Sequence, residues 1–277
     1  GALAAEHAAK HLHGHLAQAL PSSYYPLTAE QMNAAFRTAF HTTDDEIIQF
    51  TEQRRLTDGC TAIAAVITGG SIYVANLGDC RAVLCRSGQA KRLSDDHKPN
   101  RADERARVEK AGGEVVLEGP VWRVATQEGT KWLKKAKMGD VDASSRPPTM
   151  LAVSRAFGDV KLKRPLPLVS ATPEIEVCKL DDEDAFMVLA CDGVWDVLTE
   201  QEAVDVVIGH RITDDASGAK KALLKAAFDR GSTDNLTAIV IFFGKAEDVS
   251  SISVHELESP LGIAELFISR HHATRQK

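Results

Sequence analysis

Apolar positions in the first fifty residues recur at helical spacing. Leu3, His7, Leu12, Leu16 and Leu20 fall near one stripe with polar residues between them, which predicts an amphipathic helix closed by Pro21 and the "PSSYYP" turn. A second helix is predicted over Thr28 to Gln53. It opens on "TAEQ", where Thr28 and Gln31 have the spacing of a capping box, each side chain able to satisfy the other's free backbone N–H. From Cys60 the period becomes that of strands. "CTAIAAVIT", "SIYVANLG" and "CRAVLCRSG" are short and rich in β-branched residues, and the "GG" and "GD" between them predict an antiparallel meander.

"RADERARVEKAGG" reads as a charged helix stopped at Gly112. The stretch from Val124 to Pro148 is rich in Lys, Gly, Ser and Pro with weak periodicity, and predicts a long surface loop. Strands are predicted at Glu174 to Cys178 and Phe186 to Ala190. The capping box "TEQE" opens a helix from Thr199 to about Val207, another helix covers Ala219 to Arg230, and "NLTAIVIFF" is a final strand. The tail past Gly244 has no readable period. Strand groups followed by helices, twice, without strict βαβ alternation, point to a layered α/β (α+β) fold with antiparallel sheets.

Composition narrows the class. The 277 residues are 44% hydrophobic and 26% charged, the balance of a globular chain, and the net charge of −6 offers no basic field for nucleic acid or an anionic membrane. A phosphate-handling protein with this charge needs local cations. No apolar run approaches the ~20 residues that span a bilayer, and no basic region leads an apolar block at the start. The five cysteines form no CxxC pair and read as buried structural thiols of a reducing compartment. An intracellular protein, cytoplasmic or nuclear, is expected.

Three aspartates share a setting at strand ends: Asp96 in "LSDDHKPN", Asp192 in "LACDGVWDVL" and Asp234 in "GSTDNLTAIVI". Carboxylates converging on one sheet edge need protons or cations, and hard oxygen ligands with little histidine or thiolate favour Mg²⁺ or Mn²⁺. Singly, each reads as a turn or cap aspartate, as do Asp95 and Asp196. His7, His11 and His15, with His13 beside them, have a spacing able to bind a transition metal, although a solvated helix face explains them equally. The lysines of "KWLKKAKMG" read as a solvated charge run.

"SDDHKPN", "TMLAVSRAFGD", "VLACDGVWDVL" and "GSTDNLTAIVI" occur in the order and rough spacing of the metal-dependent serine/threonine phosphatases of type 2C, and "ANLGDCRAVL" is similar to that family's early Gly-Asp-x-Arg turn. The resemblance covers Gly59 to about Phe243. It implies a central antiparallel β-sandwich flanked by helices, two Mg²⁺ or Mn²⁺ ions activating a water, and phosphoserine or phosphothreonine in proteins as substrate. Neither nucleic acid nor membrane is an expected partner, and a monomer is expected. By motif position, Asp192 and Asp234 resemble metal ligands and Asp96 that of a third, weaker ion. Arg155, Asp159, Gly193 and Asn235 resemble residues that support the site, Gly193 by leaving space. The phosphatase domain is expected over residues 1–244 with a flap insertion at about 124–148, and a tail follows over 245–277.

One departure stands out. The family's Arg, its Glu-Asp pair and its Asp-Gly-His-Gly motif are not found, and "GALAAEHAAKHL" resembles the helix that follows that motif, with Gly1 as its last residue. The expected fold therefore lacks the N-terminal strands, and little or no Mn²⁺-dependent activity is expected of the chain as given. The alternative is an impaired pseudophosphatase acting as a protein-interaction module.

Overall fold

Residues 2–21, 27–141, 147–211 and 215–244, with the backbone of 266–270, are described by the computed structural model. Gly1, most of the "PSSYYP" turn and the remainder of the tail lie outside them. Helix α1 (Ala2–Ala19) buries Ala4, Ala5, Ala8, Leu12 and Leu16. The stripe is therefore built from alanines as much as leucines, and Leu3 faces water. Helix α2 (Ala29–Gln53) starts with the predicted capping box: the Thr28 hydroxyl accepts from Gln31 N, and Gln31 Oε1 accepts from Thr28 N.

The strands β1 (Gly59–Thr68) and β2 (Ser71–Leu77) form the predicted hairpin, but β3 (Arg81–Arg86) does not continue a meander. β3 instead pairs with β4 (Gln89–Arg92) in a different sheet, so the Gly78–Asp79 turn is a crossing between layers. Helix α3 (Ala102–Lys110) follows and ends at Gly112, whose φ of +89° suits glycine. A separate hairpin joins β5 (Glu114–Glu118) to β6 (Val121–Ala125).

The expected loop over 124–148 contains a helix, α4 (Gln127–Lys137), capped by the Thr126 hydroxyl, which accepts from Gly129 N. Its buried side is only Gly129, Thr130 and Leu133, too narrow to show as a period. Lys134, Lys135 and Lys137 stand in its last turn, where cations suit the helix dipole. Residues 142–146 of that segment lie outside the described residues.

The short β7 (Phe157–Gly158) and the first strand of the second half, β8 (Glu174–Lys179), join the β1–β2 sheet. β9 (Asp184–Ala190) pairs with β3 and with β10 (Ala238–Phe242). The one-turn α5 (Asp192–Trp195), then α6 (Glu200–Arg211) and α7 (Ala216–Asp229), lie between β9 and β10. The tail contributes β11 (Leu266–Arg270), antiparallel along Cys60–Ala64 of β1. The sheets are thus β11-β1-β2-β8, with β7 also on β1, and β10-β9-β3-β4.

Alternation along the strands sorts side chains into layers. Ile63, Ala65, Ile72 and Val74 meet Ala82, Leu84, Met187 and Leu189 between the sheets. Ala62, Ala64, Val66, Tyr73 and Leu77 pack on α1 and α2, while Val83, Phe186 and Val188 pack on α6 and α7. The result is the expected sandwich, helices outside and two antiparallel sheets within. Each large side chain fully buried there, such as Phe36, Phe40 or Phe186, contributes on the order of 1.5–3 kcal/mol.

Candidate metal-binding carboxylate site

The site grows from the register of β3 and β9. These antiparallel strands set Arg81 opposite Ala190 at their last pair. Asp79 stands two residues before Arg81, and Asp192 two residues after Ala190. One register therefore delivers two carboxylates to the same end of the sheet.

Asp79 is buried in the layer-crossing turn. Gly78 before it has φ +113°, and a Cβ there would come 2.1 Å from Thr61 Cγ2, so only glycine fits. His97 clamps the turn, its backbone N–H donating to Gly78 O at 2.8 Å while Gly78 N donates to its Nδ1 at 3.0 Å. Asn76 Nδ2 bonds the Gly78 carbonyl at 3.1 Å. Lys98 Nζ then donates to Asp79 Oδ2 at 2.6 Å.

Asp192 opens α5 and accepts from the N–H of Gly193 at 2.9 Å. Asp234, in the turn before β10, accepts from Asn235 N at 2.6 Å. The two segments touch at Gly193. An added Cβ there would sit 2.4 Å from the Asn235 carbonyl oxygen, and Ser232 Oγ donates to the Gly193 carbonyl at 2.7 Å. Cys191 Sγ donates to the same Asn235 carbonyl at 3.1 Å.

The electrostatics are those of crowded anions. Burial, reinforced by the charges of Asp79, Asp234 and Asp196 and only partly opposed by Lys98, pushes Asp192 up to about 7. Burial alone would lower Lys98, but the charge and hydrogen bond of Asp79, with Asp196 and Asp96, raise it instead. Beside this cluster an open cleft of about 450 Å³ is lined by Arg92, Asp95, Asp96, Lys98, Asn100 and Arg101. Each of its cations is already paired: Arg92 with Asp95 and Asp96, Lys98 with Asp79, and Arg101 with Asp103 and Glu174.

The family model of protein phosphatase 2C matches residues 1–236. The chain belongs to the protein phosphatase 2C family. It is 38% identical over 243 residues to a probable protein phosphatase 2C 52 of rice (Oryza sativa subsp. japonica), covering 88% of this chain and 42% of that one. It is 38% identical over 243 residues to a probable protein phosphatase 2C 59 of Arabidopsis thaliana, covering 88% of this chain and 67% of that one. The crystal structure of serine-threonine phosphatase 2C from Toxoplasma gondii shares the fold, with a TM-score of 0.68 at 24% identity, over 86% of this chain and 81% of that one. The chain thus spans about two fifths of the rice relative and about two thirds of the Arabidopsis one.

Within this protein phosphatase 2C fold the candidate residues separate into two groups. Asp192, Gly193, Asp234 and Asn235 are brought together, Asn235 through its backbone. Asp96 lies at the rim, its carboxylate gripped by Arg81 at 3.1 and 2.8 Å and by Arg92 at 2.6 Å, while Arg81 also reaches Glu200 at 2.6 Å. Arg155 bonds Glu104 at 3.1 and 2.7 Å and the Thr172 carbonyl at 3.0 Å, bracing α3. Asp159 is buried with φ +52° at the end of β7, beside Gly59 and the Asp44–Lys163 ion pair.

Sequence reading passed over Asp79 and Lys98. Asp79 lies in a Gly-Asp pair that reads as turn punctuation, and Lys98 follows Asp96 by two residues; only the pairing of β3 with β9 makes them part of the site. The histidines go elsewhere: His7 and His15 reach the two oxygens of Glu46 at 2.9 and 3.1 Å, with His11 stacked 4.3 Å from His7. They fasten α1 to α2. Cys80 and Arg86 have the Cys-x₅-Arg spacing of a cysteine-phosphatase loop, yet both lie along the β3 segment, Cys80 buried and Arg86 paired with Asp184 at 2.7 Å.

Proposed function

We propose that the chain supplies the Asp192, Asp234 and Asp79 carboxylates of a metal-dependent phosphatase that hydrolyses phosphoserine and phosphothreonine in proteins. The reading rests on Asp192, which burial and its neighbours Asp79, Asp234 and Asp196 push up to about 7. A buried carboxylate crowded by others is stabilised by a cation, and an all-oxygen donor set fits Mg²⁺ or Mn²⁺. Bound there, such ions offset the charge of a phosphate and lower the pKa of water toward neutrality. The residues of the chain have distinct tasks. Asp192 and Asp79 are held opposite one another by the β3–β9 register, Gly193 admits the Asp234 segment, and Lys98 partly neutralises Asp79 from the side of the basic cleft. Five buried free thiols accord with a reducing, intracellular setting, and no helix of the described residues is long and apolar enough to cross a membrane.

A second reading, a non-catalytic interaction module, is favoured by one observation. Among the described residues no three His, Cys, Asp or Glu side chains stand together as a closed ligand set. Titrating the purified protein with Mn²⁺, while following its thermal unfolding and phosphate release from a phosphothreonine peptide, tests both. Stabilisation by Mn²⁺ that is lost in Asp192→Asn is the expected result, with little or no phosphate release from the chain as given. Phosphate release lost in Asp192→Asn selects the phosphatase reading over the interaction module, and no response to Mn²⁺ overturns the metal centre.

A further inference from the structure

Beneath the carboxylate site lie two thiols that the proposed chemistry does not use. Cys80 follows Asp79 and Cys191 precedes Asp192; both are buried and neither is in a disulfide. One step beyond the Arg81–Ala190 pair of β3 and β9, the same antiparallel register sets Cys80 opposite Cys191. Hydrogen-bond parity tells what kind of pair this is. Ala82, on the same face of its strand as Cys80, turns its N–H to Ser94 Oγ and its carbonyl to Leu93 N, away from β9. The N–H of Cys191 goes to the Thr237 carbonyl, away from β3. Positions 80 and 191 thus continue the ladder as a non-hydrogen-bonded pair, the type in which Cα atoms lie roughly 4.5 Å apart and side chains approach most closely.

At rest each sulfur has its own partner, Cys80 Sγ 3.5 Å from Thr61 Oγ1 and Cys191 Sγ 3.1 Å from the Asn235 carbonyl. Cys80 and Cys191 belong to one apolar cluster between the sheets. Disulfides need Cα separations of roughly 4.4–6.8 Å, a range that non-hydrogen-bonded pairs of this type enter. Cys60 and Cys85 point instead into the two outer helix layers. Cys178 comes from the opposite sheet, where its sulfur sits 3.3 Å from Lys91 Nζ.

We propose that Cys80 and Cys191 are a redox-sensitive dithiol that hydrogen peroxide closes to a cross-strand disulfide within the folded domain. One sulfur attacks the peroxide, the O–O bond breaks, and a sulfenic acid forms with loss of water. The second sulfur displaces the sulfenic oxygen as a second water, so two thiols and one peroxide give one disulfide and two waters. Both sulfurs are sealed from solvent, so the pair stays reduced at rest and closes slowly. Closure draws Cys191 Sγ from the Asn235 carbonyl at 3.1 Å and from Thr237 N at 3.3 Å, which loosens the segment that carries Asp234.

The test is a peptide map of the wild-type protein, exposed to hydrogen peroxide without denaturant, then alkylated while unfolding and digested unreduced. A linked peptide joining Cys80 to Cys191 is expected in most molecules. It should disappear on dithiothreitol treatment and be absent from Cys80→Ala and Cys191→Ala. Recovery of Cys80 and Cys191 as alkylated thiols or as sulfinic acids, or their linkage to other cysteines, overturns the proposal. The map reads the bond itself, so its outcome is independent of the phosphatase reading.

Discussion

Glu104 and Asp192 are both acids withdrawn from water, and they are driven in opposite directions. Glu104, on α3, is fully engaged: Arg155 and Arg107 donate to it at 2.7 and 3.0 Å, and the Ser154 hydroxyl bonds it as well. Burial opposes its charge, but these partners outweigh it and hold its carboxyl far below the usual range. Asp192, only partly withdrawn, has the charges of Asp79, Asp234 and Asp196 adding to burial, and is raised to about 7. Burial is common to both; the sign of the neighbours decides. A satisfied acid is a structural rivet, and an acid left among its own kind is a place for a cation.

Removing one acid and then the other breaks this comparison open. Glu104→Gln strands two guanidinium groups and should cost about 3–5 kcal/mol in urea unfolding, the largest effect expected. Gly193→Ala forces a methyl against the Asn235 carbonyl and should cost about 1–3 kcal/mol at any pH, because the clash is steric. Asp192→Asn should have the opposite sign. It relieves repulsion and should stabilise the metal-free protein by about 1–2 kcal/mol at pH 8, once solvent screening is allowed for, while abolishing stabilisation by Mn²⁺.

The smallest effect separates the two acids by pH. Between its ordinary 3.8 and about 7, Asp192 keeps a proton in the folded state that the unfolded chain has released. Its contribution to stability therefore declines as pH rises through that window, so the advantage of Asp192→Asn should grow from pH 4 to pH 7 and level off above it. The lowered acids behave inversely. Glu174, brought down to about 2 by His97 and Arg101, and Glu104, lowered further, contribute fully above their ordinary 4.5 and lose that contribution only as pH falls toward their folded values. Unfolding curves of wild type and Asp192→Asn across pH 3–8, with and without Mn²⁺, check this; a gap that is constant with pH would refute the repulsion.

Most elements were legible because their signals are local. The capping boxes at Thr28–Gln31 and Thr199–Glu202 form as the spacing predicts. Nearly unbroken apolar runs in "CTAIAAVIT" and "AFMVLA" mark buried strands, since both faces of a central sandwich strand are covered. Helix α4 was missed because it buries three residues and exposes lysines. β11 could not be read from its own residues, since it is defined by the edge of β1 along which it lies. The switch of sheet at Gly78 escaped for a related reason: a glycine–aspartate turn looks alike whether it returns a strand to its neighbour or passes it to another layer.

The sequence by itself determined the layered antiparallel class, the family, and the placing of Asp192 and Asp234 at strand ends beside small residues. Periodicity and capping act over a few residues, and the motifs are contiguous. The tertiary structure alone decided which charges share a neighbourhood. Asp79, read as a turn residue, faces Asp192 because β3 pairs with β9. Asp96, a candidate ligand by its motif, is gripped by Arg81 and Arg92. Electrostatic energy depends on distance through space, and residues more than a hundred apart in the chain acquire that distance only when the sheets close on one another.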